Sequence, residues 1–176
     1  MKHLKITALL GALALLAILG APAPVVAEET LTARLTGFEE PPAVSTTGRG
    51  LFRGIISEDE TFIVYELSYD GLEGEVRQAH IHFGQRRTNG GISIWLCQTE
   101  FNPDPTGLSP TCPQEGTVTG VVTADNVIGP AGQGIAAGEF AEVLAAIRNG
   151  VTYANVHSTL QPGGEIRGQI RVIRKR

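Results

Sequence analysis

Apolar and polar residues alternate through most of the chain beyond residue 28, and a two-residue period predicts β-strands. A first strand is expected over residues 31–35 and a second over 47–56, where Gly48, Gly50 and Gly54 mark places for a bulge or a close backbone approach. Residues 61–69 carry the cleanest alternation, with Ile63, Tyr65, Leu67 and Tyr69 on one face. Turns at Asp70-Gly71 and Glu73-Gly74 lead into a strand through residues 78–83. Further strands are expected over 92–97, 117–123, 153–157 and 165–172. Two consecutive prolines, Pro41-Pro42, keep 38–42 out of a sheet interior. One stretch changes period. Over 139–149, Phe140, Val143, Leu144 and Ile147 recur at spacings of three and four, with Glu139 and Glu142 near the start, Arg148 near the end and Gly150 just beyond. This predicts a short helix that caps an open end of the sheets. Many short strands, one helix and Gly/Pro-rich turns predict an all-β fold, an antiparallel Greek-key β-sandwich.

The ends of the chain refine this. Lys2 and Lys5 precede an uncharged Leu/Ala-rich run over 6–20, and Val25-Val26-Ala27 places small residues before a cleavage point. Residues 1–27 therefore read as an export signal and 28–176 as one domain of 149 residues. A run of 15 residues is short of the roughly 20 that span a bilayer, so no stable membrane insertion is expected after cleavage. The expected location is the periplasm, the cell envelope or the extracellular space. The domain then carries 12 basic and 18 acidic residues, a net charge of −6 once Lys2 and Lys5 leave. An acidic surface argues against nucleic acid as a partner. The basic end at 171–176 reads as a solvated tail. Cys97 and Cys112 form an even pair in an exported chain, which predicts a disulfide.

The candidate chemistry is histidine. Beyond residue 27 the chain has three, and two of them, His80 and His82, sit one residue apart. On a strand they share a face with Gln78, while Ala79, Ile81 and Phe83 take the apolar side. In 153–157 the same alternation puts Tyr153, Asn155 and His157 on one side and Ala154 and Val156 on the other. Two neighbouring strands would gather the three imidazoles on a surface outside the hydrophobic interior.

Five segments, in order, carry a resemblance. They are Phe38-Glu39-Glu40-Pro41-Pro42, Ala79-His80-Ile81-His82-Phe83-Gly84, Asn89-Gly90-Gly91, Asn155-Val156-His157, and Pro162-Gly163-Gly164-Glu165-Ile166-Arg167-Gly168-Gln169. Together they resemble the CHRD domain, a module repeated in chordin and found alone in exported microbial proteins, over about residues 31–172. Ser158 stands where threonine is expected. The resemblance implies a sandwich of superoxide-dismutase-like or immunoglobulin-like outline, and it implies no single activity. Three histidines are too few for a paired copper–zinc centre.

A lone three-histidine site with one open position is what this chain can build, and imidazole suits Cu or Zn. Asn155 and Glu165 would orient the rings from behind, and an outward Arg167 would attract an anion, which with copper would permit superoxide chemistry. Against this stands a plainer reading, in which the histidines hydrogen-bond Asn155, Ser158 and the turn at Gly163-Gly164. Glu165 and Arg167 then form an ordinary ion pair, and the domain is a non-catalytic protein-binding or scaffolding module that contacts a protein partner through its loops. No nucleophile elbow, phosphate loop or dinucleotide fingerprint is present, so no organic cofactor is expected.

Overall fold

The structure, a computed structural model, describes residues 29–173. The expected export signal at 1–27 and the end of the basic tail lie outside the described residues. Among these residues are nine strands: β1 (Glu29–Thr36), β2 (Arg49–Ile56), β3 (Ile63–Asp70), β4 (Val76–Phe83), β5 (Gly91–Cys97), β6 (Gly116–Val122), β7 (Thr152–Ser158), β8 (Ile166–Gln169) and β9 (Arg171–Ile173). One helix, α1 (Phe140–Arg148), falls within the predicted stretch. The expected last strand is split at Ile170 into β8 and β9.

All ladders are antiparallel, in the order β5-β4-β7-β8-β1-β2-β3-β6, with β9 also on β1. The all-β class is as expected, but the two-layer sandwich is corrected to a single, nearly closed, barrel-like sheet. The link that a sandwich would lack is β8 on β1, where Thr36 faces Arg167. Gly168 lets it form: a Cβ there would run into the Arg34 carbonyl, so only glycine allows the two backbones this close. Alternation reports that one face of each strand is buried. It does not report whether two half-sheets stack or join edge to edge.

The closing edges are β5 and β6, where Tyr65 of β3 reaches across and donates its hydroxyl to the Leu96 carbonyl at 2.6 Å. Inside the barrel lie Leu31, Leu35, Phe52, Ile63, Leu67, Ile81, Ile94, Leu96, Val156 and Ile166, each 0% exposed. Phe140, Val143, Leu144 and Ile147 of α1 join this core. Arg148 ties the helix to Glu29 at 2.8 Å and to Glu60 at 2.7 Å. No described helix is long and apolar enough to cross a membrane.

The Cys97–Cys112 disulfide is formed as expected. Inside the loop it closes, the buried Asp104 carboxylate accepts from the Thr106 hydroxyl and from the backbone N–H groups of Thr106 and Ser109. Burial works against the Asp104 charge, but these donors outweigh it and hold its carboxyl below the usual range.

Candidate metal centre

Strand register assembles the site. In the β4–β7 ladder Gln78 faces His157, His80 faces Asn155 and His82 faces Tyr153, so His157 lies diagonally across from His80. One ring nitrogen from each histidine falls within 4.8 Å of the others. His80 Nδ1 is 3.2 Å from His157 Nε2. The ring centroids are 4.9 Å apart for His80–His157, 5.3 Å for His80–His82 and 5.9 Å for His82–His157.

The convergence expected from alternation is present, but the expected surface position is not. His80, His82 and His157 are 0%, 7% and 6% exposed. They do lie on the face turned away from Ile81 and Val156, yet that face is covered. Trp95, paired to His80 across β5, stands edge-on to it with centroids 4.3 Å apart. Tyr153 stacks on His82 at 4.7 Å with the rings parallel to within 1°. The loop over residues 84–90 and the turn around Pro162 close over the rest. A single strand's pattern carries no information about loops that return from elsewhere.

Two backbone carbonyls fix the rings. His82 Nδ1 lies 2.9 Å from the Gly90 carbonyl, and His157 Nδ1 lies 2.9 Å from the Pro162 carbonyl. A carbonyl can only accept, so each ring carries its proton on Nδ1 and presents a lone pair at Nε2. No hydrogen-bond partner meets His82 Nε2 or His80 Nε2, both of them buried. Burial drives all three imidazoles toward the neutral form. His82 and His157 are pushed down to about 4, with the Gly90 and Pro162 carbonyls opposing, and His80 lies lower still, its neighbours His157 and His82 adding to the effect of burial. Three neutral imidazoles converge here, and neutral imidazole is the form that ligates a metal, although the 3.2 Å contact with the His157 Nε2 lone pair places the proton of His80 on Nδ1 until an ion displaces it to Nε2.

Around the rings runs a polar network that alternation only half revealed. Arg167, expected to point outward and draw an anion, is 1% exposed. Its Cζ sits 3.3 Å from the centroid of the Tyr153 ring, and its guanidinium donates to the carbonyls of Gln85 and Thr88 at 3.0 and 2.9 Å. Its place in the strand is as expected; its access to solvent is blocked by the 84–90 loop. Asn155 donates from Nδ2 to Glu40 Oε1 at 2.5 Å and to the Ile166 carbonyl at 3.4 Å. Gly164, at φ +128°, makes room for this, because a Cβ would meet both Asn155 Nδ2 and Glu40 Oε1.

Glu165 is not gathered with the histidines. Its Oε1 accepts from Thr46 Oγ1 at 2.6 Å and from the Glu73 N–H at 2.7 Å. Burial opposes its charge, but Ser158, Thr46 and the backbone of Glu73 and Gly74 outweigh that and hold its carboxyl below the usual range. The alternative Glu165–Arg167 ion pair is not among the salt bridges formed; Arg77 instead pairs loosely with Glu75 at 3.5 Å.

Sequence reasoning missed Glu40. It is 8% exposed, and its burial raises its carboxyl to about 7 against the opposing charge of Arg167 and the Asn155 hydrogen bond. The two neighbouring acids part company: Glu39 pairs with Arg86 at the surface while Glu40 turns inward. The available signal was the position of Glu40 inside the Phe38–Pro42 motif, which ordinary surface acids do not need. The carbonyls of Gly90 and Pro162 left no trace in residue identity. His157 also lines a cleft of about 270 Å³ with Arg77, Gln78, Asn102, Thr159 and Pro162. A larger concavity, about 840 Å³, lies where the end of β1, the start of β2, the end of β3 and the start of β6 meet and holds no histidine.

A family model described as the CHRD domain matches residues 31–170. No curated protein and no solved structure matches the chain.

Proposed function

The chain belongs to the CHRD-domain family, and from that premise we propose that it is an exported single-domain protein that holds one Cu or Zn ion on His80, His82 and His157. The observation that carries this is the convergence of one ring nitrogen from each histidine within 4.8 Å, with His80 Nδ1 and His157 Nε2 3.2 Å apart and the buried His82 Nε2 without a hydrogen-bond partner. Two nitrogens each about 2.05 Å from a tetrahedral ion stand roughly 3.3 Å apart, so the separation fits a coordination edge. Carbonyl acceptors on the remote nitrogens of His82 and His157 are the usual outer partners of metal-bound imidazoles.

A purely structural role is favoured by the same 3.2 Å contact read as a hydrogen bond. That reading leaves the buried Nε2 of His82 without a partner, a cost of about 1–3 kcal/mol that a bound ion would remove, whereas His80 Nε2 is unpartnered in either reading. Metal loading separates the two. Trp95 is the only tryptophan in the chain and stands against His80, so copper binding should quench its emission. After Cu or Zn loading and dialysis, elemental analysis should find close to one ion per chain, and a His82→Gln/His157→Gln variant should retain none. Equal trace metal in both proteins, with unchanged Trp95 emission, would remove the proposal. Holding rather than turnover is the expected activity, because the guanidinium of Arg167 is engaged under the roof and does not face solvent. Superoxide consumption by the copper-loaded protein tests that point.

A further inference from the structure

We propose that the three-histidine site selects monovalent copper, Cu(I), over Cu(II) and Zn(II). This rests on the reading that the site holds a metal, and it follows from charge. The ligand set is electrically neutral: among the described residues no carboxylate or thiolate joins the three imidazoles. Both cysteines are locked in the disulfide, and the single methionine is Met1. An ion bound there keeps its whole charge inside a site whose ligands are 0–7% exposed. The cost of placing charge in a low-dielectric interior grows as the square of that charge, so a divalent ion is penalised about fourfold more than a monovalent one.

Arg167 adds to the discrimination. It is a permanent cation, held in a stack in which its guanidinium covers Tyr153 and Tyr153 covers His82. Its fixed charge lies one aromatic ring from His82, and it will oppose a bound cation in proportion to that cation's charge. Coordination number points the same way. Cu(II) favours tetragonal sites with four or more donors, whereas the filled d shells of Cu(I) and Zn(II) impose no such geometry, so donor count separates the two copper states and charge separates Cu(I) from Zn(II). Selection by soft sulfur ligands is absent here, so charge and donor count do the selecting.

The test is a set of affinities measured at pH 8 under anaerobic conditions on the mature chain. Cu(I) is supplied from its bicinchoninate complex, Ag(I) serves as a redox-inert monovalent probe, and Cu(II) and Zn(II) are read by Trp95 emission and dialysis. Cu(I) should bind at least 100-fold more tightly than Cu(II), which for a one-electron couple raises the copper potential by about 120 mV. Ag(I) should displace Zn(II). Arg167→Gln should narrow the Cu(I)/Cu(II) ratio at least fivefold while Arg167→Lys keeps it. Glu40→Gln, which removes an acid near Arg167 and leaves an acceptor for Asn155, should widen it. If Arg167→Gln does not fold, the Glu40→Gln ratio and Ag(I) displacement in the wild type still decide. Stoichiometric binding with Zn(II) or Cu(II) as tight as Cu(I), or a ratio that none of these variants moves, overturns the selectivity and leaves metal holding intact. Absence of any bound metal overturns both.

Discussion

Acidifying the metal-free protein from pH 7 to pH 5 should cost it several kcal/mol, and the size of the loss can be worked from three rings and one carboxyl. In the unfolded chain a histidine takes up its proton near 6.5; in the folded protein His82 and His157 wait until about 4. Between those values the unfolded state binds more protons, so stability is complete above 6.5 and falls as the pH falls. A gap of this width is worth about 3 kcal/mol per ring in full, of which about 2 kcal/mol is lost by pH 5. His80, held lower still, adds a similar loss. Glu40 runs the other way. Its folded carboxyl sits at about 7 against 4.5, so its contribution is complete below 4.5 and is lost as the pH rises through 7. Going from pH 7 to 5 it returns about 2 kcal/mol. The wild type should therefore lose roughly 4 kcal/mol and Glu40→Gln roughly 6 kcal/mol. Urea unfolding at pH 7, 6 and 5, with a chelator present, measures both. Carboxyls held below their usual range, such as Asp104 and Glu39, titrate lower and stay out of this window. A Glu40→Gln protein whose stability stays flat within 1 kcal/mol would mean the rings are not kept neutral by burial. Parallel slopes for the two proteins would remove Glu40 from the account.

Other perturbations probe separate parts of the structure. Replacing both Cys97 and Cys112 by serine opens a link across 15 residues and should lower stability by about 3 kcal/mol, read as a fall in the urea midpoint at unchanged slope. Gly168→Ala forces a Cβ against the Arg34 carbonyl at the β8–β1 seam and should cost about 1–3 kcal/mol, whereas Gly132→Ala, where a Cβ meets nothing within 4 Å, should change thermal stability little. Tyr153→Phe removes the hydroxyl that accepts from the Gly90 N–H at 3.2 Å and loosens the loop whose carbonyl holds His82. A loss of about 1–2 kcal/mol is expected, together with faster amide exchange at Gly90.

Much of the fold was legible because a strand's faces follow from a two-residue period that needs no tertiary information. Ile63, Tyr65, Leu67 and Tyr69 read as one buried face and are one. The helix was legible from the four apolar residues that now join the core. His80 and His82 could be placed side by side for the same reason, and Tyr153 and Asn155 alongside His157. Their burial could not be read. Trp95 arrives from β5, Glu40 from the segment after β1, and the Gly90 and Pro162 carbonyls from two loops, and no local pattern links these to a histidine. Arg167 shows the division well: its position on β8 was visible, while the loop that seals it was not.

By itself, then, the amino-acid order determined the strands, the one helix, the bonded cysteines and the identity of the three imidazoles, because each depends on neighbours within a few residues or on simple counting. Only the tertiary structure decided that the sheet closes through β8 onto β1, that His157 falls diagonally beside His80, and that the rings lie neutral beneath a roof. The first two depend on register between segments more than 70 residues apart, such as His80 and His157, separated by 77, and the third on how loops as near as five and eight residues in sequence fold back over the rings. Long-range packing selects among registers that leave the local alternation the same.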